Sequence, residues 1–401
     1  MRIFRLLLSA FMLFHCSGDP SFHGISMVEP LEDVLTFERI YRGSEESGEY
    51  ILARPGYFAV NAIGDVYFAD EGIIKVFDES GNPKQIIGSI GQGPGEFEYA
   101  TYPQFGPAGF LTVSDNYSIC IFDRENNYID KQKLFLNPRY IAFARKHNFN
   151  GVYPLTAVSF DEKSRIVYLR AISPQPDDPF IYHRVIVYET PDSLYMLADY
   201  KSKEEVAAGR IITHFPYRGR TLYEVVSDNK IVYTNPAYDT FSNDSGSFYT
   251  LHYVTLSGII RQEFMHPYEP IAVADSLKER FSLRKYDRNV PEDILEFLDK
   301  IDSETRYAAP VHRLIADRGR LFVFTYKQNI TGEYLADIFD ADTGEYIKSA
   351  YLKLCEKGPF NFTPPYDRSQ IKNGCLYRHH EDEDGFIIVE KYRIDPNVYE
   401  K

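Results

Sequence analysis

Tryptophan is absent from this 401-residue chain, and cysteine occurs only four times. The aromatic load falls instead on 32 Tyr and 29 Phe, residues that suit pleated, half-buried strands. Cations are in deficit: 44 Lys and Arg face 58 Asp and Glu, for a net charge of −14. That balance argues against a nucleic-acid backbone or an anionic membrane surface as partner, and a solvated, self-repelling surface accounts for it equally well. Neither a G-x-S-x-G elbow nor an H-E-x-x-H motif occurs, and the ten His are scattered without catalytic spacing. Beyond the first residues nothing is long and apolar enough for a membrane helix.

A short apolar run opens the chain. Arg2 and Arg5 precede Leu6 to Phe14, broken only by Ser9, a stretch too short to cross a bilayer alone. It ends at Cys16, followed by Ser17, Gly18 and Asp19. This resembles a bacterial lipoprotein signal, in which the cysteine becomes the lipidated first residue of the mature chain. Leu13 fits that pattern, and His15 stands where a small residue is usual. A plainly cleaved secretory signal is the alternative; both imply export, to the periplasm or to the outer membrane and cell surface. Residues 1–16 are read as signal and 17–34, polar with scattered Gly and Pro, as a tether. With Cys16 lipidated, Cys120, Cys355 and Cys375 remain, an odd number that cannot all pair within one molecule. Cys355 and Cys375 could bridge or stay as buried thiols.

Internal periodicity organises the rest of the chain. From Tyr57, YFAVNA and DVYFAD flank the turn residues Gly64 and Asp65, and IIKVFD, the turn ESGN and PKQIIGSI complete four strands. The second strand of this unit recurs as FLTVSD at Phe110, RIVYLRA at Arg165, KIVYTN at Lys230, RLFVFTY at Arg320 and CLYRHHED at Cys375. Third strands follow each, and fourth strands follow all but the last. Six units result. The sixth lacks a fourth strand, while an orphan strand, VLTFERI, stands at Val34 to Ile40 ahead of the first. Pairing the two predicts an all-β six-bladed β-propeller over residues 35–396, a ring that closes on itself and covers its open edge.

AIGDVYFAD at Ala62 to Asp70, VFDESG at Val76 to Gly81 and IGQGPGEF at Ile90 to Phe97 resemble the NHL-like propellers of exported bacterial proteins. The ending NGCLYRHHEDEDGFIIVEKYRID from Asn373 resembles the closing blade of that family. Related propellers include calcium-dependent lactonases, other lyases and hydrolases, so the resemblance allows an enzyme by analogy.

A helical insertion is expected at about 274–303, with Asn289 as N-cap, Pro291 in the first turn and Glu292 three residues after the cap. Ile294, Leu295, Phe297, Leu298 and Ile301 share one face, expected to pack on the rim of the ring. The run Gly88 to Gly95 lacks the Lys-Ser/Thr ending and following helix of a phosphate loop, and reads as an inter-blade turn. His379 and His380 point to opposite faces of a strand, and Asp382 to Gly385 fall where other units have hairpin turns. The acidic turn at Asp340 lacks calcium-loop spacing. No metal ligand, cofactor or catalytic residue is assigned.

The expected function is a lipid-anchored envelope module that binds a ligand or an envelope protein, as a monomer, touching membrane only through its anchor. Tyr102, Tyr238, Phe241, Tyr366 and Arg368, aromatic and charged residues on connecting loops, are the candidate contacts. A metal-dependent lactonase, lyase or hydrolase with its site over the channel is the alternative. A third reading is an envelope scaffold that docks through the 274–303 insertion.

Overall fold

Each unit of the repeat forms one antiparallel sheet. The computed structural model describes residues 29–401 apart from 43–44, 54, 117, 134–135, 175–179, 209–210, 276–277, 280–289, 355–368 and 383–384. The first strand, β1 (Leu35–Tyr41), belongs to the last sheet. Blade one is β2 (Tyr57–Val60), β3 (Val66–Asp70), β4 (Ile73–Phe77) and β5 (Pro83–Ile87). Blade two is β6 (Ala100–Phe105), β7 (Leu111–Asp115), β8 (Ser118–Phe122) and β9 (Tyr128–Lys133). Helix α1 (Pro138–Lys146) leads into blade three: β10 (Gly151–Ser159), β11 (Arg165–Ile172), β12 (Tyr182–Glu189) and β13 (Leu194–Lys201).

A hairpin of β14 (Glu205–Ala208) and β15 (Ile211–His214) then precedes blade four. That blade has five strands: β16 (Leu222–Ser227), β17 (Lys230–Thr234), β18 (Thr240–Asn243), β19 (Gly246–Thr255) and β20 (Ile260–Tyr268). Helix α2 (Glu292–Ser303) is followed by blade five: β21 (Val311–Asp317), β22 (Arg320–Gln328), β23 (Tyr334–Asp340) and β24 (Tyr346–Leu352). Blade six is β25 (Ser369–Lys372), β26 (Cys375–Glu381), β27 (Ile387–Ile394) and, outermost, β1.

The closure anticipated from the two ends of the chain is present. β1 runs antiparallel to β27, from Leu35 opposite Ile394 to Tyr41 opposite Val389. Lys391 Nζ, nearly buried, lies 3.2 Å from both Glu38 of β1 and Glu79 of blade one, so the seam is tied to the neighbouring blade. Just before β1, Leu31 exchanges backbone hydrogen bonds of 2.9 Å with Ser349 and Tyr351 of β24. The end of the stretch read as a tether is therefore laid on blade five.

The aromatic-rich strands fill the spaces between blades. Phe68 and Phe77 of blade one pack with Tyr41 and Tyr377 of blade six, all fully buried; each such side chain contributes roughly 1.5–3 kcal/mol by leaving water. The acid that ends the second strand has a fixed task. Asp70 accepts Ala53 N at 3.0 Å and Lys75 Nζ at 2.9 Å; Asp115 likewise accepts Tyr99 N at 2.6 Å and pairs with Lys131 at 2.7 Å. Each thus pins the loop that enters its own blade. The acidic hairpin turns use their carboxylates on their own backbone: Asp78 on Asn82 N, Asp123 on Asn127 N, Asp382 on Phe386 N and Asp340 on Thr343 N, at 2.7–3.0 Å.

Four elements depart from the sequence reading. α1 is an unforeseen helix, opened by Asn137, whose Oδ1 accepts Arg139 N at 2.9 Å, with Pro138 first in the helix. The β14–β15 hairpin and the extra strand β18 are insertions that the repeat template could not contain. α2 begins at Glu292, because Pro291 takes an extended ψ of 142° and occupies the cap position without a side-chain bond; Asn289 lies outside the described residues. Leu295, Leu298 and Ile301 are buried as expected, but Phe297 is exposed. The buried face packs chiefly on another insertion, against Val206, Phe215 and Tyr217, with Tyr326 the contact from a blade. Cys120 and Cys375 are buried free thiols; Cys355 lies outside the described residues.

Candidate functional site

The six inner strands, β2, β6, β10, β16, β21 and β25, enclose a channel with a volume of about 600 Å³. Neighbouring inner strands run in the same direction. Gln370 bonds Phe58 O and Val60 N while Asn373 bonds Ala62 O, and Arg313 meets Ser369 while Asp317 meets Asn373. All six therefore start at one mouth and end at the other.

The two mouths are unlike. Where inner strands end, the chain turns back within two to five residues, from 61–65 in blade one to 373–374 in blade six. Where they start, the connections run from 12 residues (88–99) to 42 (269–310) and hold α1, the β14–β15 hairpin and α2. The loop-bearing mouth is thus the variable, buildable face of a rigid scaffold.

Charge in the channel opposes that of the whole chain. Among the described residues, Arg220, Arg313, Arg318, Arg320 and Lys372 line it, with Glu224 and Asp317 as the carboxylates. At the short-turn mouth these charges are tied into the frame. Asp317 accepts Asn373 N, Gly374 N and the Tyr399 hydroxyl, each at 2.8 Å. Arg320 donates to Tyr399 O at 2.7 Å, and Arg318 lies 5.7 Å from the Tyr399 ring.

The loop-bearing mouth differs. Arg313 donates to Ser369 O. Arg220 makes no hydrogen bond or ion pair with any described residue, yet acts on the ionisation of Tyr168, Glu204, His312 and Tyr326. Burial, then Arg220 and Arg313, hold the His312 imidazole neutral, pushing it down to about 3. Its Nε2 is buried without a hydrogen-bond partner among the described residues. Farther down the channel, burial pushes the Glu224 carboxyl up to about 7 against the opposing pull of Arg313, Lys372 and the N–H of Ala316.

Among the described residues, Tyr102 is the one expected contact that the fold brings into the channel. Its φ of 45° sits at a register shift in β6, an uncommon backbone for a bulky side chain. Its ring lies 4.0 Å from that of Tyr57 and its hydroxyl donates to the Tyr57 hydroxyl at 3.0 Å. Tyr238 is on the same face of the ring, half-exposed, under Lys203 Nζ at 3.9 Å. Phe241 is exposed on β18, away from the channel lining. Tyr366, Arg368 and Cys16 lie outside the described residues. Arg220, Arg313, Glu224, Lys372 and Tyr57 escaped the sequence reading; the available signal was charge within short apolar inner strands, as in LYEVV and VHRLIAD.

The glycine-rich turn cradles a carboxylate of its own. Glu96 accepts Gly93 N at 2.7 Å, and a Cβ at Gly91 would fall 2.1 Å from Glu96 Oε2. Gly88 is held at φ 76° over the Phe97 ring, where a Cβ would come within 2.3 Å. His379 is buried with Nε2 3.1 Å from Pro55 O. Among the described residues no three His, Cys, Asp or Glu side chains are grouped to hold a metal ion.

No family model matches the chain, and no curated protein matches it. Among solved structures, it is similar to an exported protein of Bacteroides fragilis, at 13% identity over 90% of this chain and 95% of that one, with a TM-score of 0.47. The mitotic checkpoint complex offers a chain with 8% identity over 97% of this chain and 99% of that one, with a TM-score of 0.40. The WD40 domain of SCAP from fission yeast follows at 9% identity over 85% and 67%, with a TM-score of 0.31.

Proposed function

We propose that this chain is an exported binding module of the cell envelope, anchored through a lipid on Cys16, whose ligand enters the channel at the loop-bearing mouth. One observation carries the reading. At that mouth long insertions surround a channel with a guanidinium unpaired among the described residues, whereas the other mouth is edged by short turns, with Asp317 and Arg320 tied into the frame. A concave site with a few convergent polar groups among aromatic walls is the usual form of a ligand pocket. The NHL-like motifs support the exported-propeller reading, and the signal-like start of the chain supports the anchor.

A photo-crosslinking amino acid at Tyr102, at the loop-bearing mouth, is expected to capture an envelope component in intact cells. The same group at Ile63, an exposed residue of the opposite mouth, is expected to capture none. Equal capture at both, or none at either, overturns the reading. Fatty-acid labelling lost in Cys16→Ser supports the anchor, and unchanged labelling refutes it.

A further inference from the structure

We propose that the channel ligand is a neutral sugar, its ring lying on the Tyr57–Tyr102 pair and its hydroxyls exchanging hydrogen bonds with Tyr223, Thr156 and Glu224. This rests on the binding reading above and names the chemistry of its ligand.

The charged groups of the channel answer one another or the frame. Asp317 is committed to two backbone N–H groups and a phenol at the short-turn mouth, and Arg320 to the C-terminal backbone. Arg313 donates to Ser369 O, Arg220 acts on the buried Glu204 carboxyl, and Glu224 acts with Arg313 and Lys372. A ligand therefore need bring no charge of its own. Tyrosine is what marks the wall. Among the described residues four tyrosines line the channel, and they meet in two pairs. Tyr57 and Tyr102 join blades one and two with ring centroids 4.0 Å apart; Tyr168 and Tyr223 join blades three and four at 5.5 Å. Tyr57, Tyr102 and Tyr223 fall within the first three residues of β2, β6 and β16, so they gather toward the loop-bearing mouth.

A pyranose presents a face of C–H groups, whose slightly positive hydrogens suit the negative face of an aromatic ring. The first tyrosine pair is built at the cost of a left-handed backbone at Tyr102. Strain of this kind persists where the surrounding structure holds a side chain in place. Other groups of the wall both give and accept hydrogen bonds, as sugar hydroxyls do. Thr156 Oγ1 and the Tyr223 hydroxyl lie 3.1 Å apart with two protons for the one bond between them, which leaves one O–H to donate. Glu224 follows Tyr223 along β16. Pushed up to about 7 by burial, its carboxyl offers an O–H as well as a carbonyl oxygen around neutral pH. Gln104, two residues beyond Tyr102 and also lining the channel, keeps a buried side-chain oxygen without a hydrogen-bond partner among the described residues. Such an acceptor gains most from a donor brought to it.

The test is saturation-transfer NMR on the mature protein with the methyl glycosides of glucose, galactose, mannose and N-acetylglucosamine, alongside calorimetry with inorganic phosphate. Saturable transfer to the ring protons of at least one glycoside is expected, with phosphate inert. Tyr102→Ala is expected to raise the Kd of that glycoside at least about fivefold, and Tyr102→Phe, which keeps the ring, to leave it within about twofold. Tyr195→Ala, which removes an exposed ring on the outer strand of blade three, is expected to bind as wild type. Circular dichroism of each variant checks that the fold is kept. Absence of transfer to all four glycosides, or an unchanged Kd in a folded Tyr102→Ala, overturns the inference, as does phosphate binding in place of the sugars. If the sugars fail while a crosslinker at Tyr102 still captures a component, the ligand is of another class and the binding reading stands. If both fail, both are wrong.

Discussion

The hydroxyl of Tyr399 donates to Asp317 Oδ2 at 2.8 Å, joining the last turn of the chain to the end of the inner strand of blade five. The same carboxylate accepts the N–H groups of Asn373 and Gly374 in blade six. Asp317→Ala strands two backbone donors and a phenol, and is expected to cost about 2–4 kcal/mol in urea unfolding. Tyr399→Phe removes one bond, at about 1–2 kcal/mol. Equal effects from both would refute the hub role of the carboxylate.

Lys75 is buried among Asp70, Glu71 and Ile51 O. Removing Asp70 leaves that ammonium without its buried counter-charge. Asp70→Ala is expected to cost about 3–5 kcal/mol. Glu71→Ala, removing an exposed partner of the same lysine, should cost below about 1 kcal/mol. The comparison is read from paired denaturation midpoints.

Glu224 sets a pH dependence. Its carboxyl titrates near 7 in the fold, above its ordinary 4.5, so the unfolded chain gives up this proton first as pH rises. Its contribution to stability therefore falls between about pH 4.5 and 7 and stays low above that. Glu224→Gln is expected to match wild type below pH 4.5 and to exceed it by about 1–3 kcal/mol at pH 8. The upper end is reduced by water in the channel, which this side chain borders. An advantage independent of pH would contradict the assignment.

Glu38 answers two cations, Lys391 and Arg393. Glu38→Lys places a third positive charge on the closing seam, at an expected cost of about 2 kcal/mol. Hydrogen exchange should locate the loss in β1 and β27, with blades two and three unchanged. Uniform loss across all blades would mean that the ring opens as one unit.

The blades were legible because their information is local. DVYFAD, FLTVSD and RIVYLRA are short apolar runs, buried along almost their whole length, and each became a second strand. The closure was legible as a deficit at one end matched by a surplus at the other. The channel was not, because its lining comes from six separate inner strands whose proximity exists only once the ring forms. Arg220 and Arg313 are 93 positions apart in the chain, and no spacing rule links them. Tyr102 was reached through its loop-like surroundings, although its place comes from a bulge that no periodicity announces. The β14–β15 hairpin was missed because it interrupts the repeat instead of following it.

The seam between β1 and β27 sets an order on folding. The strand made first cannot meet its partner until the strand made last has been synthesised, some 350 residues later. Until then the inner blades form as nearest-neighbour stacks while the opening strand waits. A chain interrupted before Ile387 would keep an uncovered sheet edge, an invitation to pair with another such chain. The arrival of β27 is thus the step that latches the molecule, and quality-control proteases would find truncated copies by the edge they leave open.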